Sequence, residues 1–366
     1  MGKIYRLAIM PGDFIGKEVV IEEMRVLEVL AKKFGLQYTT THYPHGGEHY
    51  VKTGELLPDS VVCELKDHDA IVFGAVGHPH LIKGEVEQGI LLKIRFDLDQ
   101  YVNLRPAKLY KGVDVPIKKL HPSLPDGYEL IVVREGTSDL YTGKGEVKKN
   151  QAGAVVYATQ IMEYTDLQVD RVNRYAFELA RRKKSETGQD YPVVLGGKSN
   201  VLTNVFASLW QPRFEAMGKS EYPDVKIHYQ HIDALNGPLL VSSSPEWFNI
   251  IVTGNMFGDI ITDLTASLFG GMGVGASGCI NPEGTSMFEP IHGSSPKDYG
   301  KGTVSPIAAI LSGSLMLKEI GEKTAGIALE KAVEKVLASG KIPNLTIHSG
   351  VSTRQQADLI IQELLV

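Results

Sequence analysis

Residues 252–264 read VTGNMFGDIITDL, and within them one periodicity gives way to another. The apolar, β-branched run 248–253 has the character of a strand. From 257 to 269 the apolar residues recur at helical spacing, and Gly254 lies at the joint. A strand passing directly into a helix is the unit from which α/β folds are built. On that helix Asp259 and Asp263 are four apart and share a face, leaving Ile260, Ile261 and Leu264 to face a core. Like charges on adjacent turns repel, and a bound divalent cation relieves the repulsion. A donor set made only of oxygens suits Mg²⁺ or Mn²⁺ better than zinc.

The same alternation extends outward in both directions. Residues 4–10, 37–43, 70–76, 130–133, 192–195 and 225–231 read as strands; the run AIVFGAV at 70–76 is apolar on both faces, as in a buried parallel strand. After the first strand, Val20, Met24, Leu27, Ala31 and Phe34 form a helical stripe that Gly35 stops. Further helical patterns fall at 205–217, 306–320, 322–339 and 352–365. The expected class is α/β with a largely parallel sheet. Residues 106–127 carry Pro106, Pro116, Pro122 and Pro125 and are expected to cross between domains. A second crossing near 270–278 would leave a larger discontinuous domain, 1–105 with 271–366, and a smaller one, 106–270.

A chain of 366 residues with 43% hydrophobic and 22% charged residues and a mean hydropathy of −0.06 is a globular chain of about two domains. Its net charge of −5 offers no basic field to nucleic acid or to an anionic membrane; the basic run 181–184 reads as the solvated end of a helix. No apolar run approaches the ~18 residues of a membrane span. Cys63 and Cys279 are the only cysteines and build no disulfide framework. With no targeting signal read at the amino end, a cytoplasmic setting is expected.

Three glycine-rich runs imitate known motifs. Gly273 to Gly278 spells GxGxxG but follows a helical pattern, whereas the dinucleotide fingerprint needs a strand before it and a helix after it. Gly196-Gly197-Lys198-Ser199 resembles the end of a phosphate loop, but Pro192 stands where the first glycine is required. His45-Gly46-Gly47-Glu48-His49 spells a zinc-protease pattern; two glycines at about 1 kcal/mol each disfavour a helix, so a loop is expected there.

Arginines give the aspartate pair its significance. Arg95 and Arg105 lie in LLKIRFDLDQYVNLRP, and Arg134 follows a strand in VVREGTSDLYTG. Forked guanidinium groups grip carboxylates bidentately, so several of them suit a substrate with two carboxylates. Tyr141 and Lys198 add groups able to give and take protons.

Taken together, PGDFIGKEV, LLKIRFDLDQYVNLRPAK, VVREGTSDLYTG, GKSNVL, HIDAL, VTGNMFGDIITDL and MFEPIHGSSP make the chain resemble, end to end, the metal-dependent β-decarboxylating dehydrogenases, the isocitrate/isopropylmalate dehydrogenase family. The resemblance implies a two-domain fold around a long mixed sheet, not a Rossmann fold, with the coenzyme on the larger domain. It implies a homodimer with shared active sites, its interface on the smaller domain with the metal-binding helix. Asp233, Asp259 and Asp263 would hold Mg²⁺ or Mn²⁺, with Lys198 and Asp233 reaching in from the neighbouring subunit. Arg95, Arg105 and Arg134 would bind the substrate carboxylates. Asn200 would lie near the nicotinamide, and Glu289, His292, Gly293, Ser294, Lys297 and Ser305 would form the adenosine side. Lys198 and Asp233 would act in proton removal, and Tyr141 would protonate the enolate carbon after CO₂ leaves.

Leu91 and Leu92 stand before Arg95 and are apolar; isocitrate enzymes of this family place serine and asparagine six and four residues before this arginine, where this chain has Gly89 and Leu91. A third carboxylate buried against leucines would be costly, so a 2-hydroxy acid with an apolar branch is expected: 3-isopropylmalate, oxidised to 2-oxoisocaproate as in leucine biosynthesis. Tartrate/D-malate, isocitrate and homoisocitrate are the alternatives, with a non-catalytic metabolite-binding relative as the rival from another class. NAD is the expected coenzyme and NADP is possible, because Lys297 stands where NAD-dependent members carry aspartate and Asp298 follows it. Phe14 and Lys17 also depart from the usual glycine and proline of the first loop.

Overall fold

The computed structural model describes residues 3–82, 84–240 and 249–366. Among the described residues, twelve strands and twelve α-helices are numbered below in chain order. Ten strands make a mixed sheet in the order β2-β1-β3-β12-β11-β4-β5-β10-β8-β9, and β6 and β7 form a separate two-stranded sheet. By density of internal packing the chain divides into two units, one of residues 1–100, 105–129 and 265–366, the other of 101–104 and 130–264. The division falls inside β4 (Val102–Lys108), at the start of β5 (Glu129–Glu135) and inside α9 (Asn255–Phe269). The proline-rich segment 106–127, expected as a crossing, groups with the first unit.

In the first unit β1 (Ile4–Gly12) pairs in parallel with β2 (Gln37–His42) and with β3 (Ala70–Ala75), whose residues are all buried. β12 (Ser286–Pro290) runs parallel to β3, and β11 (Ala276–Ile280) is antiparallel to β12. Between β1 and β2 lies α1 (Ile15–Phe34), with Val20, Leu27 and Ala31 buried as the stripe required. Gly35 ends it in the left-handed region at φ 69°, donating its N–H to Ala31. α2 (Gly47–Thr53), α3 (Asp59–Leu65), α4 (Lys93–Asp97) and α5 (Pro116–Leu120) are short. α10 (Ile307–Glu319), α11 (Lys323–Ala338) and α12 (Thr353–Leu365) match the expected patterns to within one residue at each end.

A buried ion cluster ties three of these elements together. Glu330 of α11 pairs with Lys318 of α10 and with Lys108 at the end of β4, and Lys108 also meets Glu334 at 2.6 Å. Burial alone would raise the Glu330 carboxyl, but the Lys318 and Lys108 ammoniums override it and hold it down at about 2. Because its folded-state pKa lies below the unfolded value, this contribution is complete above about pH 4.5 and is lost as pH falls toward 2. Glu330→Gln leaves two partly buried lysines short of an anion and is expected to destabilise the chain by about 1–3 kcal/mol. Denaturant titrations of both proteins at neutral and acid pH check this; the difference should shrink as pH falls.

In the second unit β5, β10 (Ile250–Thr253), β8 (Val193–Gly197) and β9 (Ile227–His231) are all parallel. The first part of the expected strand 248–253 falls partly outside the described residues. α6 (Asp166–Thr187) is the longest helix and opens with a capping box between Thr165 and Gln168. The pattern at 205–217 is a π-helical stretch, Thr203–Trp210, continued by α7 (Gln211–Ser220). α8 (Ile232–Leu240) follows β9. Aromatic packing fills this unit: Phe177 stacks on Phe214 and Tyr222, and Phe206 on Trp210, whose indole N–H donates to Asn173 at 2.9 Å. β6 (Gly145–Lys149) and β7 (Val155–Gln160) pair antiparallel with each other, leaving Val147, Val155, Val156 and Tyr157 exposed.

One core expectation fails. Ile260 is 63% exposed, whereas Ile261 is buried, because α9 turns the face shared by Ile260 and Asp263 outward. Among the described residues no helix is long and apolar enough to cross a membrane.

Candidate active site

The centre of the second unit is the joint between β5, the turn after it and the first turns of α9. Arg134 leaves the end of β5 and is only 2% exposed. Its Nε donates to Asn255 Oδ1 at 2.9 Å, and Nη1 pairs with one carboxylate oxygen of Asp259. The other oxygen of Asp259 accepts from the Tyr141 hydroxyl, and the guanidinium lies 5.0 Å from the centre of the Tyr141 ring. Asp259 itself remains 42% exposed. A buried cation, a phenol and a half-exposed carboxylate are thereby locked into one arrangement.

Local sequence makes this possible. A side chain at Gly258 would place its Cβ 2.5 Å from Arg134 Cγ, so glycine lets the arginine lie against the helix. A Cβ at Gly254 would meet the Tyr164 hydroxyl at 2.3 Å. That hydroxyl accepts from the Asn255 N–H at 3.1 Å and donates to Asp139 Oδ2 at 2.6 Å. Asp139 is fully buried at φ 71° and also accepts from the Met256 N–H at 2.9 Å. A carboxylate at a helix amino terminus satisfies free N–H groups and opposes the helix dipole. Asn255 completes the joint by donating to Ser138 O at 3.0 Å. Asp139, Tyr164 and Asn255 are functional supports that the sequence reading missed. Only the capping box at Thr165 and the polar turn before Tyr141 carried any trace of them.

Elsewhere in this unit, Lys198 at the end of β8 donates to Asp233 Oδ2 at 2.6 Å, and that hydrogen bond, ahead of an opposing burial effect, holds Asp233 below the usual carboxylate range. Asn200 and Asp263 are exposed, on the turn after β8 and on α9. Among the described residues, Asp233, Asp259 and Asp263 are not a cluster whose oxygens could meet one ion; the one set of three or more that passes that test is His45, His49 and Glu55. Asp259 and Asp263 alone still offer a hard cation two accessible carboxylates one turn apart.

In the first unit Arg95 of α4 is buried, with Nη2 3.9 Å from Glu289 of β12. Leu91 and Leu92 belong to a π-helical turn, Glu87–Leu92, and Leu91 packs against the core that holds Phe73, Ile90 and Met287. Arg105 is half-buried on β4. After β12, Ser294 donates through Oγ to Gly77 O at 2.9 Å and accepts the Ile15 N–H on its backbone oxygen at 3.1 Å. His292 Nδ1 meets Gly293 O at 3.1 Å, and burial lowers the pKa of the ring. A Cβ at Gly293 would meet open space. Lys297 is exposed, but Asp298 is buried, accepting from Ser295 Oγ at 2.7 Å and pairing with Lys301 at 3.2 Å. Ser305 is buried and accepts from the Ile307 N–H at 3.4 Å. Phe14 takes a strained φ of 47° where the chain turns from β1 into α1, its ring 5.5 Å from His78.

The three imitations resolve individually. Residues 271–275 are irregular and lead into β11, so GxGxxG has no helix after it. Gly197 gives room to Phe206, whose ring carbon would lie 2.7 Å from a Cβ there. The HxxEH run is not all loop: α2 starts at Gly47, helped by Asp13, whose carboxylate accepts the N–H groups of Gly47 and Glu48. His45 precedes that helix, and Glu48 is paired with Lys17, so no protease geometry forms.

The family model described as isocitrate/isopropylmalate dehydrogenase matches residues 6–360. A 3-isopropylmalate dehydrogenase of Thermobifida fusca is 44% identical over 334 residues, 91% of each chain. One from Nocardia farcinica is 43% identical over 348 residues, 94% of this chain and 98% of that one. Among solved structures, isocitrate dehydrogenase from Methylococcus capsulatus superposes with a TM-score of 0.85 at 30% identity, covering 99% of both chains.

Proposed function

From the premise that the chain belongs to the isocitrate/isopropylmalate dehydrogenase family, and is an oxidoreductase that decarboxylates its substrate, we propose that it converts 3-isopropylmalate to 2-oxoisocaproate and CO₂ while reducing NAD. The similarity to 3-isopropylmalate dehydrogenases over about nine-tenths of both chains carries this reading, and the leucines before Arg95 agree with an apolar branch on the substrate.

A Mg²⁺ or Mn²⁺ ion held by Asp259, Asp263 and Asp233 would supply Lewis-acid polarisation of the 2-hydroxyl, with the nicotinamide taking the hydride. Arg95, Arg105 and Arg134 bind the two carboxylates. Lys198, once its ammonium has passed a proton to Asp233, accepts the hydroxyl proton at Nζ as the free amine. Once the C–C bond to CO₂ has broken, the Tyr141 hydroxyl delivers a proton to the carbon left behind. Asn200 stands beside the nicotinamide, and Glu289, His292, Gly293, Ser294, Lys297 and Ser305 receive the rest of the coenzyme.

We further propose a homodimer in which a second copy supplies Lys198 and Asp233. An isolated hairpin is marginal in water, and the exposed Val147, Val155, Val156 and Tyr157 of β6 and β7 support a role for it in association. NADP is a second coenzyme reading: Asp298 is held by Ser295 and Lys301, and the exposed Lys297 beside it would attract a 2′-phosphate.

A steady-state panel of 3-isopropylmalate, isocitrate, D-malate and tartrate with each coenzyme and Mn²⁺ tests all of this. An unpaired third carboxylate against leucines costs about 3 kcal/mol, so kcat/KM for 3-isopropylmalate should exceed that for isocitrate by roughly 100-fold. Faster turnover of another acid would replace the substrate reading. No turnover with any acid, alongside tight metabolite binding, would favour a non-catalytic relative.

A further inference from the structure

In the first unit, His45 lies just before α2, His49 in its first turn and Glu55 just after its end. One ligand atom of each lies within 4.8 Å of the others. The His45 and His49 rings are 5.0 Å apart between centroids, and His49 Nε2 is 3.9 Å from Glu55 Oε2, too far for a hydrogen bond. His45 is only 6% exposed. Its Nδ1 and the Nε2 of His49 are buried and make no hydrogen bond among the described residues. Buried polar atoms are almost always satisfied, and each exception costs about 1–3 kcal/mol. Two such atoms on neighbouring imidazoles set edge to face, with a carboxylate beside them, share one remedy.

The frame around them is fixed at both ends. Asp13 accepts N–H groups from Gly47 and Glu48 at 2.7 and 2.9 Å, pinning the start of α2 just after His45. Gly54 ends the helix at φ 75°, and its turn returns Glu55 to His49.

We propose that His45, His49 and Glu55 form a second metal site, separate from the aspartate site, for a borderline-soft divalent ion of the zinc class. Two imidazole nitrogens and one carboxylate oxygen, with water completing a tetrahedron, match zinc and its neighbours and not Mg²⁺. Ligand atoms around such an ion sit roughly 3.3 Å apart at bonds of about 2.0–2.1 Å, so small side-chain rotations close the site. Its role is structural. The ion ties the segment before α2 to the turn after it. It contributes no hydrolysis, because Glu48 is held by Lys17.

The full chain, stripped with chelator and then exposed to Zn²⁺ in excess Mg²⁺, is expected to keep one zinc through gel filtration and to melt at higher temperature. Co²⁺ in its place should give the visible absorption of nitrogen-ligated cobalt. His49→Gln and His45→Ala are each expected to abolish retention, the melting shift and the cobalt spectrum. Asp259→Asn should leave all three unchanged. His49→Gln keeps the test open where the buried His45→Ala does not fold. Failure of the wild-type chain to retain zinc, or retention undiminished in His49→Gln, would overturn the proposal. Neither result depends on dehydrogenase turnover.

Discussion

Gly258→Ala is expected to lower kcat/KM by on the order of 100-fold and to destabilise the chain by about 1–3 kcal/mol. Both directions oppose what helix propensity alone dictates, since glycine to alanine inside a helix ordinarily stabilises by roughly 0.5–1 kcal/mol. The reversal comes from Arg134. A methyl at 258 would lie 2.5 Å from its Cγ and 2.7 Å from its Cβ, and the arginine is buried and tethered to Asn255 and Asp259. It cannot swing into solvent. The guanidinium must shift, and with it the carboxylate of Asp259 and the hydroxyl of Tyr141. Thermal melts and steady-state kinetics with 3-isopropylmalate check this; a raised melting temperature with normal turnover would refute it.

Tyr141→Phe should reduce kcat by about 10²- to 10⁴-fold, the usual worth of a positioned proton donor. Mn²⁺ and coenzyme should bind as in the wild-type chain. The hydroxyl donates to Asp259, which offers a competing role for it as a support for a metal ligand. The two roles separate experimentally. A proton donor leaves kcat low at any metal concentration, with NADH and CO₂ released ahead of the final keto-acid product while the enolate waits for its proton. A mere support weakens Mn²⁺ affinity, and saturating metal restores turnover. Metal titrations of the variant, with CO₂, NADH and the keto-acid product measured separately, decide between them.

Part of this site was legible in the chain because its signals are local. Asp259 and Asp263 share a face by helical spacing, α1, α11 and α12 follow apolar stripes, and α10 is a continuous run of small and apolar residues buried on nearly every side. Other elements left weaker signals. α6 is polar over most of its length, and its capping box went unread. β6 and β7 alternate little and bury almost nothing, so neither periodicity nor burial marks them. The reason for glycine at 258, the flank of Arg134, lies 124 positions earlier in the chain.

The sequence by itself determined the α/β class, the family and the types of residue available for carboxylate, metal and proton chemistry, because those depend on composition, spacing and motif wording. Only the tertiary structure decided which of them meet. Arg134, Tyr141 and Asp259 are joined by hydrogen bonds between side chains more than a hundred residues apart. Asp139 caps a helix that begins 116 positions later. His45, His49 and Glu55, an unconvincing protease motif as written, become a candidate metal site once α2 and its closing turn gather them. Such meetings depend on directional contacts of a few ångströms, and no periodicity along a chain encodes a distance across a fold.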